Sequence, residues 1–529
     1  MYRKFIRICR VISTLRIEGI YKYLKFVSQK FIEKNIKQHS KVQQPEVLLI
    51  TLPKATAEQP PLGIAYLKAY LEKQGISCRC IDFNIRLYKL LEEEKPHLFD
   101  RADATFLHPK LFKNFYDSIF SRIISEWVSE ILEINPKFLG ISVTTYMVHL
   151  PLRYVVKAIK SFNPNIKIIL GGPSCLHHGF SFIKKGYADI VVKGEEKTSF
   201  DVINTLRKNK GLKGIKGIIY KENGKIIDDG DPELVEDLDT LPFPNFDDFP
   251  LNQYKSDDTL GIYCTIPIIS SKGCIGKCKF CNVTSYSNKF RKRSAKSIFE
   301  EMKYHKMKYN TCKFSFNDSM INTDLKILER LCDLIIQSKE VFFWGGSLGI
   351  WRPINKQLFH KMVKAGCNSL FIGAESGSEK VRKNMLKPFT DKLIKQQLKY
   401  MHEAGIDAIL TFLIGYPTET RKAFQKTIRF IIENKNYIDS IRFAATCHIL
   451  PGSYLAQNTE KEGIRFDKKG DWYVNDNNLD ERLRRLDFAN KIGQKIGLVG
   501  YDDVMDKRSI TSTIRLYNLH ATPDTFNIL

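Results

Sequence analysis

Twice along this chain, apolar runs of strand length alternate with amphipathic stretches of helix length, and that rhythm excludes all-helical and all-β architectures. In the first series, strands are predicted at Val47–Thr51, Cys78–Asp82, Phe138–Val143, Ile166–Leu170 and Ile190–Val192, with helices over 63–74 and 150–162. This predicts an open, doubly wound parallel sheet. In such sheets ligands bind at the carboxyl ends of the strands, where Thr144, Thr145 and the turns at Gly171-Gly172-Pro173 and Gly194-Glu195-Glu196 fall. The second series places strands at 266–270, 313–316, 341–345, 369–373, 409–414 and 441–446, alternating with helices at 296–309, 324–338, 355–365, 391–404 and 419–434. Six βα units predict a full or partial barrel whose chemistry sits at the strand carboxyl ends.

Residues 228–255 separate the two series with nine acidic residues, four prolines and no Lys or Arg before Lys255, so they read as an extended connector. The resulting division is 1–45, 46–215, 216–255 (connector), 256–465 (barrel) and 466–529, the last carrying a helix at 480–497 in an otherwise unassigned tail. Of the net charge of +25, residues 1–45 hold eleven Lys/Arg against Glu18 and Glu33. Apolar residues at helical spacing within 1–38 make this a basic amphipathic helix, which either packs on the next domain or lies on an anionic membrane surface. The remaining positive charge forms no dense run, so no nucleic-acid partner is indicated. No 18-residue stretch lacks charge, which argues against a transmembrane helix. Twelve cysteines in 529 residues are too sparse for a secreted disulfide scaffold, and the chain is expected in the cytoplasm, peripheral on the inner membrane surface if the helix binds lipid.

The sharpest motif is Cys274-Ile-Gly-Lys-Cys278-Lys-Phe-Cys281, after the first barrel strand. Three thiolates in one short loop can hold three irons of a [4Fe–4S] cluster and leave the fourth open to a ligand. A zinc site is the alternative, and it requires a fourth ligand such as Cys264 or Cys312.

The CxxxCxxC spacing with Phe280 before the last cysteine resembles the radical S-adenosylmethionine superfamily. The resemblance extends over 262–455, through Phe314-Ser-Phe-Asn317-Asp318, Gly373-Ala-Glu375-Ser376-Gly377 and Leu413-Ile414-Gly415-Tyr-Pro417-Thr-Glu419-Thr420. It implies a cluster on Cys274, Cys278 and Cys281, S-adenosylmethionine held by Phe280, Asp318, Arg352, Glu375, Ser376, Gly415 and Pro417, and one-electron release of a 5′-deoxyadenosyl radical. An electron donor such as flavodoxin or ferredoxin is implied with it. Phe343-Trp344-Gly345-Gly346 looks like that superfamily's glycine motif but follows the wrong strand, so Gly345 and Gly346 are read as a strand bend.

Residues 46–210 resemble the cobalamin-binding domains fused to many such enzymes, through Pro60-Pro61-Leu62-Gly63-Ile64, Gly140-Ile-Ser142-Val-Thr144, Gly171-Gly172-Pro173 and Val192-Lys-Gly194-Glu195-Glu196. The resemblance implies corrinoid contacts from Leu62, Gly63, Thr144, Thr145, Gly171, Gly172, Gly194, Glu195 and Glu196. The loop Thr51–Pro61 lacks the Asp and His with which methionine-synthase-type domains ligate cobalt, so no axial histidine is expected from it.

Together these resemblances imply methylation of an unactivated carbon in a small-molecule or lipid substrate. Radical cyclisation or rearrangement without methyl transfer, as in anaerobic porphyrin ring cyclases, and a non-catalytic corrinoid-binding module are the alternatives.

Overall fold

In the computed structural model, residues 44–94, 98–255, 265–286, 289–468 and 470–499 are described. The basic helix expected within 1–38 lies outside them, as do Cys264 and the tail beyond 499. The first sheet has the order β2-β1-β3-β4-β5-β6-β7, formed by β1 (Val47–Thr51), β2 (Cys78–Asp82), β3 (Phe138–Ser142), β4 (Lys167–Gly171), β5 (Ile190–Val192), β6 (Ile218–Glu222) and β7 (Lys225–Asp228). Strands β1 to β5 are mutually parallel, as their buried apolar runs require when helices cover both faces. Strands β6 and β7 add an antiparallel edge, so the sheet runs past residue 215 into the segment read as connector. Strand order reverses between β1 and β3, which is where a doubly wound sheet opens a crevice at its carboxyl edge.

Between β2 and β3 the chain inserts helices from Phe83 to Ile134, where Phe106, Phe112 and Phe120 are fully buried and pack edge to face. This insertion is tied to the loop after β1 by an ion pair between Lys54 and Asp103.

The connector makes specific contacts. Tyr254 donates from its hydroxyl to Asp82 Oδ2 at 2.7 Å, and Phe246 is buried against the His305 and Tyr309 rings of the barrel's first long helix, Ala295–Tyr309.

The second sheet contains β8 (Thr265–Ile268), β11 (Lys313–Phe316), β12 (Phe343–Leu348), β13 (Cys367–Glu375), β14 (Asp407–Ile414) and β15 (Ser440–Thr446), all parallel in sequential order. Two short antiparallel strands, β9 (Ser271–Lys272) and β10 (Arg291–Lys292), flank the cysteine loop. Alternation along β11, β12 and β14 puts Phe314, Trp344 and Leu410 in the core, while Ser315, Gly345 and Thr411 on the opposite face stay half-buried. The register shifts between Trp344 and Gly345, the bend expected of that glycine pair. Helices Leu325–Ser338, Asp391–Ala404 and Arg421–Asn434 carry the side-chain caps Asp324, Thr390 and Thr420, each accepting from a backbone N–H of the first turn.

Candidate active site

The carboxyl edge of the first sheet faces the mouth of the barrel. Gln59, in the loop after β1, donates from Nε2 to Asn317 Oδ1 at 3.2 Å, just past the end of β11. On the helix after β4, His177 Nε2 is hydrogen-bonded to Ser285 Oγ at 3.3 Å, four residues beyond Cys281. Beside β5, Glu195 receives two hydrogen bonds from Arg291, at 2.8 and 2.6 Å, and Glu196 receives Lys272 Nζ at 3.0 and 2.9 Å. Burial opposes the Glu195 carboxylate, but Arg291 and Lys272 outweigh it and hold its pKa below the ordinary value. Both carboxylates therefore join the two domains, a use that the Gly-Glu-Glu motif alone does not signal.

Cys274, Cys278 and Cys281 are half-buried in the loop after β8 and form no disulfide. A Cβ placed on Gly276 would stand 3.4 Å from Cys274 Sγ and 3.9 Å from Cys278 Sγ, so both thiols turn in toward that glycine, and Trp351 closes the same point at 3.8 Å. The Gly276 N–H donates to Cys274 Sγ at 3.3 Å and the Val283 N–H to Cys281 Sγ at 3.5 Å. Burial pushes the Cys278 thiol up to about 11 and raises Cys281 as well, with the neighbouring sulfurs adding to both and Lys387 opposing.

Among the described residues no three His, Cys, Asp or Glu side chains close on one shared ion. Three thiols in one short loop suit a cluster, in which each would bind a different iron. Cys312, offered as a zinc ligand, precedes β11 at the amino end of the sheet, opposite the cysteine loop, and does not complete a site there.

Lys387 is the charged residue that motif reading missed. Its Nζ donates to Glu375 Oε1 at 2.7 Å and to the Gly373 carbonyl at 2.9 Å, and it lies 5.9 Å from the Phe280 ring centroid. Burial disfavours its charge, but Glu375 and the Cys278 and Cys281 sulfurs more than restore it. Glu375 ends β13 after a register shift, with φ +58°, the left-handed region that non-glycine residues adopt at a cost of roughly 1–3 kcal/mol.

The other residues expected around S-adenosylmethionine divide by what they touch. Gly415 and Pro417 form a buried turn after β14, and Arg352 lies one residue past Trp351, its side chain exposed at the barrel mouth. Asp318 does not present a free carboxylate. It accepts from Ser270 N and Oγ and from Ser271 Oγ, anchoring the strand that leads into the cysteine loop. Ser376 is likewise engaged, its Oγ accepting from Ser378 N at 3.1 Å and lying 3.3 Å from Thr427 Oγ1. A lone polar residue in a motif does not reveal whether its hydroxyl or carboxylate is already used by the fold.

On the first sheet's edge, Thr145 Oγ1 donates to the Lys54 carbonyl, joining the loops after β1 and β3 at the switch point. Thr144 is exposed beside it, and a Cβ on Gly171 would meet only the Val192 carbonyl oxygen, at 4.0 Å. Gly172 has φ +100°, and a Cβ there would lie 2.9 Å from the Val143 carbonyl oxygen, so the loops after β3 and β4 can approach only with glycine. Gly194 is closed off, since a Cβ would meet Thr198 Oγ1 at 2.2 Å. Leu62 packs with Tyr66, Leu238 and Ile269 at the domain junction, and Gly63 is exposed on the first turn of helix Leu62–Lys73.

A six-stranded parallel sheet with three cysteines in the loop after its first strand has the layout of a radical S-adenosylmethionine core. Residues 268–431 match the Radical SAM superfamily. It is 26% identical to an uncharacterized methyltransferase of Pyrococcus horikoshii, over 70% of this chain and 72% of that one. It is 23% identical to the cytidylyl-2-hydroxyethylphosphonate methyltransferase of Streptomyces wedmorensis, over 77% and 78%. Among solved structures, the cobalamin-dependent radical enzyme OxsB superposes with a TM-score of 0.62 at 17% identity, covering 79% of this chain and 61% of OxsB. The radical methyltransferase TsrM from Kitasatospora setae gives 0.59 at 14%, covering 80% and 76%. At these identities the shared property is the two-domain fold.

Proposed function

We propose that this chain is a cobalamin-dependent radical S-adenosylmethionine enzyme that methylates an unactivated carbon. The observation that carries the reading is the meeting of two carboxyl edges, in which Gln59, His177 and Glu196 of the first sheet reach Asn317, Ser285 and Lys272 around the cysteine loop. Two cofactors bound at those edges would share one cleft, which is the proximity that successive transfer to one carbon requires.

When bound, the cluster with S-adenosylmethionine supplies a 5′-deoxyadenosyl radical and cobalamin supplies a methyl group. The protein's part is to hold and enclose. Cys274, Cys278 and Cys281 would take three irons, and the Glu375–Lys387 pair and the Gly415–Pro417 turn would orient the sulfonium ligand. The open edge at Thr144, Thr145, Gly171 and Gly172 would receive the corrinoid. The loop from Thr51 to Pro61 offers no histidine to cobalt, and its Lys54 is bound to Asp103.

Several relatives are named as methyltransferases, whereas others at 20–21% identity are named as anaerobic magnesium-protoporphyrin IX monomethyl ester cyclases. Incubating the anaerobically reconstituted protein with reductant, S-adenosylmethionine labelled in its methyl group and a cell extract tests the reading. A labelled product one CH2 heavier than its precursor supports methylation. Deoxyadenosine formation with a substrate-dependent product that gains no label overturns methylation in favour of cyclisation or rearrangement.

A further inference from the structure

The segment after β15 lies beyond the residues matched by the superfamily, yet it sends three polar side chains into the turn that ends β14. Helix Leu479–Lys495 carries Arg482 and Arg485, and Asn477 precedes it; all three are buried. Asn477 donates from Nδ2 to the carbonyls of Gly415 and Tyr416, at 3.2 and 3.0 Å. Arg485 donates from Nη1 to the Glu419 carbonyl at 2.8 Å and to Glu419 Oε1 at 3.2 Å, and that same Oε1 accepts from Gly415 N at 2.9 Å. Arg482 stacks 3.8 Å from the Trp472 ring centroid and donates from Nη1 to the carbonyls of Trp472 and Asn477, both at 2.9 Å.

Gly415 has φ +76°, and a Cβ there would lie 2.3 Å from Arg482 Cγ, so the arginine stem packs directly against the turn. Both main-chain faces of Gly415 are thereby fixed, its N–H through Glu419 and Arg485 and its carbonyl through Asn477. A turn whose amide and carbonyl are both tied to buried side chains of another segment takes its position from that segment. Charge-assisted bonds of this kind lose geometry sharply when one partner goes.

We propose that Asn477 and Arg485 are positioning residues for S-adenosylmethionine, setting from outside the superfamily core the place of the Gly415–Pro417 turn. The proposal rests on the reading that this turn orients bound S-adenosylmethionine. It gives the C-terminal segment a role in cofactor affinity as well as in packing.

The test uses the full chain, reconstituted anaerobically with its cluster. Binding of S-adenosylmethionine is measured by calorimetry, alongside iron content, retained cobalamin and far-UV circular dichroism, for wild type, Arg485→Met, Arg485→Lys and Asn477→Ala. The expected result is a dissociation constant raised about tenfold or more in Arg485→Met, in line with loss of a bond to a charged group. Arg485→Lys should recover part of the affinity, Asn477→Ala should also weaken binding, and iron and cobalamin should stay at wild-type levels. A folded, cluster-loaded Arg485→Met or Asn477→Ala that binds within twofold of wild type overturns the proposal. If Arg485→Met does not fold, Asn477→Ala, which removes two neutral bonds, decides by the same criterion. A wild-type protein that holds its cluster but binds no S-adenosylmethionine would instead overturn the reading of the site, and the proposal with it.

Discussion

Gln59 and Asn317, 258 residues apart, share a hydrogen bond of 3.2 Å that joins the carboxyl edge of the first sheet to the barrel mouth. The bond is exposed, and a neutral exposed hydrogen bond adds little stability, about 1 kcal/mol at most. What it marks is a register between two candidate cofactor edges. More buried pairs must hold that register, and they provide the first test.

Arg291 is the strongest of them, its side chain 2% exposed and bonded to Glu195 through two nitrogens. Arg291→Met leaves Glu195 without its main counter-charge and should lower unfolding free energy by about 3 kcal/mol at neutral pH, measured by urea denaturation. The folded pKa of Glu195 is depressed, so its contribution is present above the ordinary value of 4.5 and is lost as pH falls below it. The gap between wild type and Arg291→Met should therefore narrow under acid. A gap of equal size at pH 7 and pH 3.5 would mean that the ion pair is not its source.

Cys278→Ala should abolish both iron incorporation and deoxyadenosine formation, since each thiolate in the triad would bind a different iron. Cobalamin retention should persist, because the residues proposed to receive it lie on the other sheet. Iron analysis and electron paramagnetic resonance of the reduced protein would check this, and stoichiometric zinc with unchanged activity would contradict it.

Lys387 sets a fixed positive charge beside Cys278 and Cys281. A nearby cation favours the more negative, reduced state of a cluster. Lys387→Met should make the midpoint potential more negative in a titration followed by electron paramagnetic resonance, with iron content unchanged. An unshifted potential would show that Lys387 serves only to hold Glu375.

Gly172→Ala forces a side chain onto a backbone at φ +100°, against the Val143 carbonyl. The expected cost is about 1–3 kcal/mol, together with faster loss of hydroxocobalamin on gel filtration. Gly186→Ala, at φ +70° but with open space around it, is the comparison. It should cost stability without changing corrinoid retention.

Among the described residues no helix is long and apolar enough to cross a membrane. The sequence determined the features that local physics controls. Strand and helix periods follow from the alternation of apolar residues over a few positions, and the predicted barrel helices match Ala295–Tyr309, Leu325–Ser338 and Asp391–Ala404 to within a residue at each end. The cysteine triad was legible for a related reason: eight consecutive residues keep three thiols in one loop whatever surrounds them.

The tertiary structure decided how each polar side chain is used. Asp318, Ser376, Glu195 and Glu196 read as ligand contacts in their motifs, but their partners are Ser270, Thr427, Arg291 and Lys272, which no local pattern pairs with them. The antiparallel edge of β6 and β7 escaped because a short hairpin in a polar stretch has no periodic signal strong enough to separate it from a connector. Lys387, Asn477 and Arg485 carry no motif at all. Each matters through what it touches across the fold, and those contacts exist only once burial has removed water from between segments distant in the chain.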